Sequence, residues 1–351
     1  MTTTKKHLST EYWYKMPDPD ERVVCTLCPR ECKLAPGRRG FCYIRMAING
    51  EIALTAANLT SGIAVDPIEK KPLYQFLPNT KVLSFGAIGC NLGCKFCQNW
   101  HISKTRDEFD LSVPASPSQL VAQAISAQCS GIAYTYNEPI ISMEFVLQVA
   151  KEAKTAGLKS IAVSAGFIQE KPRERFFSAM DAANIDLKSF DHSFYQKLTG
   201  GGNLSVIIDT LRYVKHHSNC WLEITNLIIP GYNDDFSTIT KMCDWIVCEL
   251  GQDVPLHFSA FHPDYQLTEI PPTPAHTILA ARDIAIKSGI RYVYTGNIRH
   301  PQGTNTYCHH CQQPLIERQG WSVNIFANNG ICPKCHTQCA GIFTQKSELI
   351  K

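Results

Sequence analysis

From residue 81 to residue 295 the chain alternates short apolar runs with stretches of amphipathic helical spacing. The apolar runs are rich in β-branched and aromatic residues, a composition that favours strands. Between them, apolar side chains recur every three or four residues, as in 145–153 and 204–214, which predicts helices with one buried face. The predicted strands are Val82–Phe85, Ile132–Tyr136, Ser160–Val163, Ala183–Leu187, Trp221–Leu227, Leu256–Ser259 and Arg291–Tyr294.

Nearly continuous apolar strands joined by helices indicate an α/β protein whose parallel sheet is covered on both faces. The number of these units favours a complete or partial β/α barrel, and a doubly wound sheet is the alternative. Both architectures bind ligands at the carboxyl ends of their strands. We therefore expect the functional residues of this region directly after its strands.

The overall composition is that of a globular protein and argues against several functional classes. Of 351 residues, 44% are hydrophobic and 19% are charged, and the formal net charge is only +3. This balance argues against nucleic acid as the main partner. No apolar run reaches the roughly 18 residues of a membrane-spanning helix, and the first residues lack the apolar segment of a secretory signal. The sequence therefore predicts a cytoplasmic protein without membrane spans.

Cysteine is unusually frequent, with 16 residues, and in a reducing compartment such cysteines more often bind metals than form disulfides. Most of them fall in three clusters, which divide the chain into three predicted regions. These are an N-terminal Cys-rich module at 1–75, a core at 76–300 and a C-terminal zinc-ribbon-like module at 301–351. The remaining cysteines are interpreted as small buried apolar residues. They are Cys129, Cys220, Cys243 and Cys248.

The middle cluster lies directly after the first predicted strand, where Cys90, Cys94 and Cys97 are spaced C-x3-C-x2-C in a glycine-containing loop. Three thiolates at this spacing can converge on one small inorganic group. A structural zinc ion prefers four protein ligands, whereas a [4Fe–4S] cluster bound by three cysteines leaves one iron open to an outside ligand. The alternative is a zinc site completed by His101.

A C-x3-C-x2-C loop after the first strand of a β/α barrel resembles the signature of radical S-adenosylmethionine (SAM) enzymes. The resemblance implies that the open iron binds the amino and carboxylate groups of SAM. One electron from the reduced cluster then cleaves the sulfonium, and the resulting 5′-deoxyadenosyl radical abstracts hydrogen from a substrate. Within the loop, the resemblance implies cofactor contacts from Phe96 and Gln98.

After the second strand, members of this family usually have Gly-Gly-Glu-Pro, which holds the methionyl ammonium. This chain has Asn137 and Glu138 before a proline, so it departs at the glycines but keeps the acid. The resemblance implies that Asn137 and Glu138 contact the cofactor, and a carboxylate suits an ammonium ligand. Alternatively, Glu138 is a first-turn acid that the helix dipole favours.

Later strand ends supply further candidate cofactor contacts. Asp186 and Lys188 are two residues apart at the end of the fourth strand. They therefore lie on the same face, and both can point into a barrel mouth. Asp186 is expected to bind ribose hydroxyls and Lys188 the methionyl carboxylate, and a structural ion pair is the alternative. Lys70 and Lys71, before the first strand, are interpreted as solvated charges. The weaker candidates for cofactor binding are Ser164, Asn226 and His262.

Two further cysteine sets flank the core. The C-terminal set has paired C-x2-C motifs, which are typical of a zinc ribbon. Its expected zinc ligands are Cys308, Cys311, Cys332 and Cys335. The N-terminal set completes a four-ligand shell for zinc or for an auxiliary iron–sulfur cluster, with zinc slightly preferred. Its members are Cys25, Cys28, Cys32 and Cys42.

Four segments, followed by the ribbon, together resemble one subfamily of radical SAM enzymes. They are 27–32, 37–42, 136–139 and 294–297. The subfamily is that of the AmmeMemoRadiSam system, which is itself similar to pyruvate formate-lyase activating enzymes. The resemblance implies a functional association with Memo-like and AMMECR-like proteins.

The sequence therefore predicts a radical SAM oxidoreductase that depends on a [4Fe–4S] cluster, SAM and zinc. The first substrate hypothesis is a backbone glycine of a protein, following the likeness to activating enzymes. The second is a side chain or small molecule in a pathway shared with Memo-like proteins. A one-electron donor such as flavodoxin or ferredoxin is expected. The alternative is a noncatalytic metal-bearing scaffold that binds protein or nucleic acid.

Overall fold

The computed structural model describes residues 7–17, 19–105 and 111–343. The first strands are β1 (Leu8–Ser9), β2 (Trp13–Lys15), β3 (Val23–Cys25), β4 (Lys33–Leu34), β5 (Arg45–Ile48), β6 (Glu51–Leu54) and β7 (Leu59–Thr60). Most of them form two small antiparallel sheets, in the orders β1-β6-β5 and β2-β3-β4. Buried residues of this module, including Val23, Leu34 and Ile44, belong to the same hydrophobic core as the central region, so the two pack together.

The next strands are β8 (Ile63–Pro67), β9 (Lys81–Phe85), β10 (Val113–Pro114), β11 (Gly131–Tyr134), β12 (Lys159–Ser164), β13 (Ala182–Asp186), β14 (Trp221–Ile228), β15 (Leu256–Ala260) and β16 (Val293–Gly296). Strand β10 pairs with β7, and the others form one sheet in the order β8-β9-β11-β12-β13-β14-β15-β16. The predicted strands are confirmed as β9 and β11–β16, which are parallel, whereas β8 pairs antiparallel with β9.

The order of the strands distinguishes the two predicted architectures. A doubly wound sheet reverses its strand order at a switch point, and no reversal occurs along the sheet of this chain. In the described part of the chain, the outer strands β8 and β16 do not pair with each other. The core is therefore a partial β/α barrel. Strand β8, which lies inside the predicted 1–75 region, forms one edge of it.

Helices cover the outside of this sheet. They are α1 (Trp100–Lys104), α2 (Pro117–Ser126), α3 (Met143–Thr155), α4 (Glu170–Phe177), α5 (His192–Leu198), α6 (Leu204–His217), α7 (Phe236–Trp245), α8 (Ala275–Ser288) and α9 (Pro301–Thr304). The two predicted helices correspond to α3 and α6, whose apolar faces are buried as expected. Every residue of β11 is buried, because helices cover one face of the strand and the barrel interior the other. None of the helices in the described ranges has the length and apolar character that a membrane crossing requires.

A segment between β8 and β9, residues 68–80, closes the amino-terminal end of the barrel. Leu73 and Phe76 pack there against apolar residues at the starts of the parallel strands. The buried carboxylate of Glu223 accepts hydrogen bonds from the backbone N–H groups of Tyr74 at 3.0 Å and Gln75 at 2.8 Å. It also lies 2.6 Å from Nε2 of His257. This barrel floor leaves the carboxyl ends of the strands for the site.

The C-terminal module is a three-stranded antiparallel sheet that packs against the barrel floor. Its strands are β17 (Thr306–Tyr307), β18 (Pro314–Gln319) and β19 (Ser322–Ile325). The buried guanidinium of Arg318 donates to the carbonyl oxygens of Tyr74 at 2.7 Å and Thr304 at 2.9 Å. It also lies over the Tyr74 ring, 4.3 Å from the ring centroid. One side chain thus connects the module to residues 68–80.

Candidate active site at the carboxyl ends of the strands

The three-cysteine loop joins β9 to α1 and is held by backbone contacts on several sides. The N–H of Gly89 donates to the carbonyl of Ile102 at 2.7 Å, and that of Gly93 donates to the carbonyl of Thr199 at 2.7 Å. Gly89 has φ +88°, in the left-handed region that favours glycine. A Cβ atom at this position would lie 2.0 Å from the carbonyl oxygen of Cys42. The N-terminal module therefore helps to set the path of the loop.

The loop faces a cavity of about 570 Å³ at the carboxyl ends of the parallel strands. This end of the barrel, at the carboxyl ends of the strands, is the one that we predicted to bind ligands. Most of the candidate residues for the cluster and SAM line this cavity. They are Cys90, Cys94, Phe96, Cys97, Gln98, Asn137, Glu138, Ser164, Asp186 and Lys188. The fold thus brings together residues from the β9 loop and from the ends of β11, β12 and β13.

The three sulfur atoms of the loop are not arranged as zinc ligands. In the described ranges, the potential ligand atoms that lie within 4.8 Å of one another in groups of three or more are those of the C-terminal cysteines. A tetrahedral zinc ion with Zn–S distances of ~2.3 Å brings its sulfurs about that close. A cubane cluster instead binds each thiolate to a different iron, which spreads the sulfurs. The donor set of the loop therefore fits a [4Fe–4S] cluster.

The zinc alternative also lacks its expected fourth ligand. His101 is exposed on α1, and its ring contacts the ring of Trp100, with the centroids 3.6 Å apart. It is absent from the residues that line the cavity. The geometry of the loop therefore gives no support to a zinc site completed by His101.

The sulfur atoms of Cys90 and Cys94 are buried, and each lies near the ammonium group of a lysine. Burial raises the pKa of Cys90 to about 12 and also raises the pKa of Cys94. The ammonium group of Lys104 opposes this shift at Cys90, and that of Lys188 opposes it at Cys94. Both thiols are therefore protonated at neutral pH in the metal-free protein, and metal binding must release their protons. The two lysines can then balance the charge of the bound thiolates.

Glu138 connects the ends of two neighbouring strands at the cavity wall. The hydroxyl of Ser164 donates to Oε1 of Glu138 at 2.7 Å, and the N–H of Ala165 donates to Oε2 at 2.8 Å. The N–H of Ile140 also donates to Oε1, at 3.3 Å, so Glu138 caps a short 3₁₀ helix as well. Burial raises the pKa of Glu138 to about 7, although these hydrogen bonds oppose the shift. Glu138 therefore combines a capping role with a position at the cavity.

Asp186 and Lys188 form an ion pair and also line the cavity. Nζ of Lys188 lies 2.6 Å from Oδ2 of Asp186. Burial lowers the pKa of Lys188, but the charges of Asp186 and Cys94 more than compensate, and the net shift is upward. Lys188 is therefore a permanent cation beside the cysteine loop. The sequence left open whether these two residues bind the cofactor or form a structural ion pair. The ion pair is present, and both of its members line the same cavity as the sulfurs.

Asn137 fixes the end of β11 to the cysteine loop. Its Nδ2 donates to the carbonyl oxygens of Ala87 at 2.8 Å and Gly89 at 2.6 Å. Its Oδ1 accepts from the N–H of Ala87 at 3.1 Å. The side chain that replaces a glycine of the family motif is therefore used to hold the backbone of the loop.

Phe96 is buried, and the Lys188 ammonium lies 5.8 Å from its ring centroid.

Two of the weaker candidates lie outside this cavity. Asn226 is buried, and its Nδ2 donates to the carbonyl oxygen of Leu187 at 2.7 Å. His262 is exposed and lines a neighbouring cavity, of about 490 Å³, that Gln98 also borders. In this structure Asn226 thus supports the strand that carries Asp186, and His262 lies at a separate opening.

Sequence reasoning missed a buried charged group that also lines the cavity. The interpretation of Lys71 as a solvated charge is wrong, because its side chain is only 3% exposed and pairs with Asp66 at 2.8 Å. The hydroxyl of Tyr136 also donates to Asp66, at 3.1 Å. All three residues line the cavity. The available signal was the period-four spacing of Asp66 and Lys70, which does form a pair at 3.0 Å.

The other two cysteine sets do not line this cavity. In the C-terminal module the sulfur–sulfur distances are 3.6 Å for Cys308 and Cys335 and 3.6 Å for Cys311 and Cys332, and all four lie within 4.8 Å of one another. This spacing fits one tetrahedral metal ion. The four N-terminal cysteines together line a small cavity of about 20 Å³, next to the β9 loop.

A partial parallel barrel with three cysteines at the carboxyl ends of its strands defines a class of cluster-dependent enzymes. Residues 87–244 match the family model of the radical SAM superfamily, so the chain contains a radical SAM domain. This match contains the cysteine loop and the ends of β11, β12 and β13. Membership implies a [4Fe–4S] cluster and SAM, and the donor atoms at the cavity fit both.

Relatives extend the likeness over most of the chain. An uncharacterized protein of Methanocaldococcus jannaschii is 40% identical over 306 residues, which cover 87% of this chain and 90% of that protein. The pyruvate formate-lyase-activating enzyme of Staphylococcus epidermidis is 26% identical over 230 residues, covering 60% of this chain and 88% of the enzyme. Among solved structures, a radical SAM methyltransferase from Sphaerobacter thermophilus has a TM-score of 0.51 at 14% identity, covering 68% of this chain and 71% of that one. The last comparison supports the fold alone.

Proposed function

We propose that this enzyme cleaves SAM reductively and abstracts hydrogen from its substrate. The single observation that carries the proposal is that three cysteines, a buried carboxylate and a buried lysine line one cavity at the strand ends. The thiolates of Cys90, Cys94 and Cys97 would hold the cluster. When bound, this cluster supplies the electron that converts SAM to methionine and a 5′-deoxyadenosyl radical.

The residues around the loop have separate roles in this proposal. Lys188, a permanent cation, would pair with the methionyl carboxylate, and Glu138 would attract the ammonium group. Asp186 would accept hydrogen bonds from ribose hydroxyls. Phe96 and Gln98 would contact the cofactor from the loop itself. The barrel floor and the covering helices would keep water from the reacting atoms.

The family context suggests a substrate class and partners. We propose that the substrate is a backbone glycine of a partner protein, because the chain is similar to a pyruvate formate-lyase-activating enzyme. A side chain or small molecule in a system with Memo-like and AMMECR-like proteins is the second candidate. The enzyme would work in the cytoplasm as an oxidoreductase and accept single electrons from a flavodoxin or ferredoxin. In the C-terminal ribbon, the sulfur spacing supports a structural zinc ion.

The first test is the release of 5′-deoxyadenosine by anaerobically reconstituted, dithionite-reduced protein supplied with SAM. We expect the wild-type protein to release it and Cys94→Ala to lose at least about 100-fold of the rate, because only two ligands remain for the cluster. The ribbon zinc should be unchanged in this variant. The matched control is Cys248→Ser, because this cysteine lies outside the three clusters and is exposed, unlike the buried position that the sequence pattern predicted.

The same experiment separates the enzyme from the noncatalytic scaffold. A reconstituted, reduced protein that binds SAM without releasing 5′-deoxyadenosine would favour the scaffold. Incubation of active enzyme with a candidate partner then tests the glycine hypothesis. A glycyl radical doublet in electron paramagnetic resonance would support it, whereas deuterium transfer from a labelled small molecule to 5′-deoxyadenosine would favour the second candidate.

A further inference from the structure

The N-terminal module gathers four cysteines around one enclosed space. Cys25 ends β3, Cys28 and Cys32 lie in the turn between β3 and β4, and Cys42 precedes β5. All four line the same cavity, and Cys32 is the member that is partly exposed. Three buried thiols and one at the surface form a pocket for a sulfur-ligated group that is almost completely shielded from solvent.

The spacing of these sulfurs differs from that of the C-terminal ribbon. The ribbon sulfurs lie within 4.8 Å of one another, as ligands of one metal ion do. Across the described ranges, no three of the N-terminal cysteines meet that condition. Four thiolates that surround a common cavity without converging on one point suit a group with several metal atoms. This arrangement favours the auxiliary cluster over the zinc ion, the two occupants that the sequence pattern left open.

A buried guanidinium group with one unsatisfied nitrogen faces the same cavity. Arg45 lines it, is 1% exposed, and forms a salt bridge with Glu144. Its Nε donates to the carbonyl oxygen of Ile141 at 3.0 Å. Its Nη1, however, is buried and has no hydrogen-bond partner among the residues that the structure describes. A buried guanidinium N–H without an acceptor is costly, and an anionic group in the cavity would supply the acceptor. Inorganic sulfides and thiolates accept such hydrogen bonds.

The pocket lies directly beside the loop of the first site. The carbonyl of Cys42 packs on Gly89, the residue before Cys90, and the side chain of Arg30 donates to the carbonyl of Asn91. Cys28 shares a small apolar cluster with Leu92. Cys90 and Cys94 pack against the same cluster. Two sulfur-lined sites thus share one wall, made of loop backbone and apolar side chains.

We propose that Cys25, Cys28, Cys32 and Cys42 bind a second iron–sulfur cluster beside the first. All four thiolates ligate it, so this cluster has no iron open to SAM. Arg45 donates a hydrogen bond to one of its sulfurs and offsets its charge. The proposal concerns only metal binding by the N-terminal module and holds whatever the substrate of the enzyme is.

The test isolates the second site in the full-length chain. In a variant with Cys90→Ala, Cys94→Ala and Cys97→Ala, anaerobic reconstitution should still load about half of the wild-type iron and sulfide. After reduction, the electron paramagnetic resonance signal of this variant should not change on addition of SAM, because a four-thiolate cluster lacks an open iron. The wild-type signal should change in part. Iron-free triple variant protein would overturn the proposal.

A complementary variant, Cys28→Ser with Cys42→Ser, should lose the other half of the iron and keep the SAM-responsive signal. Cys129→Ser with Cys220→Ser is the matched control, since it removes two buried cysteines outside the clusters and should keep all the iron. Elemental analysis of zinc decides between metals. One zinc per chain, lost on substitution of Cys335, agrees with the proposal, whereas a second zinc that depends on Cys28 and Cys42 overturns it. Release of 5′-deoxyadenosine is scored separately, so either proposal can fail alone.

Discussion

At the scale of single residues, the cavity is marked by charges that the fold removes from solvent. Asp66 and Lys71 illustrate this, because neither has a sequence context that predicts burial. The ammonium of Lys71 has the Asp66 carboxylate as a partner at 2.8 Å, and Lys70 adds a second ion pair from the surface. Breaking a buried pair leaves one charge without compensation, which costs more than the pair itself contributes.

Asp66→Asn should therefore lower the free energy of unfolding by about 3–5 kcal/mol, because Lys71 would remain buried and charged. Burial raises the pKa of Asp66, but hydrogen bonds from Lys71 and Lys70 outweigh it and the net shift is downward. The carboxyl group of Asp66 therefore has a higher pKa in the unfolded chain than in the folded protein. As the pH falls below about 4, protonation favours the unfolded chain, and the wild-type protein loses the stability that the ionised Asp66 contributes. Denaturant titrations at several pH values measure both effects, and the variant should show a weaker acid dependence.

The exposed ion pair between Asp253 and Arg291 provides the control. Asp253→Asn should cost less than about 1 kcal/mol, because solvent screens a surface pair. Equal losses in the two variants would contradict the role assigned to the buried pair.

At the scale of elements, the cysteine loop depends on a close approach between β9 and the N-terminal module. Gly89 lies at this approach, and Gly86 lies where the same segment passes close to the end of β11. A Cβ at Gly86 would lie 2.8 Å from the carbonyl oxygen of Thr135, and one at Gly89 would lie 2.0 Å from that of Cys42. The backbones are thus so close that side chains are excluded. A shift of the N-terminal module at Cys42 would therefore also shift the loop that carries the cluster ligands.

Gly89→Ala should destabilise the protein and reduce iron loading of the loop, since the loop or the module must move to relieve the overlap. Overpacking of this kind typically costs about 1–3 kcal/mol, in addition to the left-handed backbone penalty of about 1–2 kcal/mol. Iron content after reconstitution and thermal unfolding are the measurements. Gly157→Ala isolates the backbone penalty, because Gly157 has φ +77° and open space around its Cβ position. Full iron loading in Gly89→Ala would argue against the close approach.

At the scale of the whole molecule, three parts meet at the barrel floor. Residues 68–80 cross the amino-terminal ends of the strands, Glu223 binds their backbone, and Arg318 of the ribbon binds it from outside. The ribbon has a small core, in which its cysteines and four aliphatic residues pack together with Tyr292 and Tyr294 of the barrel. A module with so small a core would depend for its stability on the metal ion proposed for its four cysteines. The ribbon should therefore unfold without disrupting the barrel.

Cys335→Ser should abolish binding of the zinc ion proposed for the ribbon and unfold residues 306–343 locally, because structural zinc stabilises small modules by about 10–16 kcal/mol. Hydrogen exchange should show lost protection in β18 and β19, whereas β12 and β13 should keep theirs. Iron loading of the cysteine loop should also persist. Loss of protection in the barrel strands would mean that the ribbon and the core fold as one cooperative unit.

Much of the core was predictable because its signals are local. The seven parallel strands follow from apolar runs, and the C-x3-C-x2-C spacing identifies the loop within eight consecutive residues, 90–97. The candidates Glu138, Asp186 and Lys188 follow from the rule that ligands bind at strand ends, and all three line the cavity. Burial of Lys71 was not predictable, because the ring of Tyr136, whose centroid lies 4.9 Å from its ammonium nitrogen, belongs to a segment distant in sequence.

The sequence by itself determined the order of strands and helices, the superfamily and the sets of cysteines, since each depends on residues close together along the chain. The tertiary structure alone decided how the sulfurs within each set are spaced. It also brought Cys42 against Gly89 and Tyr74 against Glu223. These contacts arise from packing between distant segments, for which a hydrophobic pattern specifies only that burial occurs and not which surfaces meet.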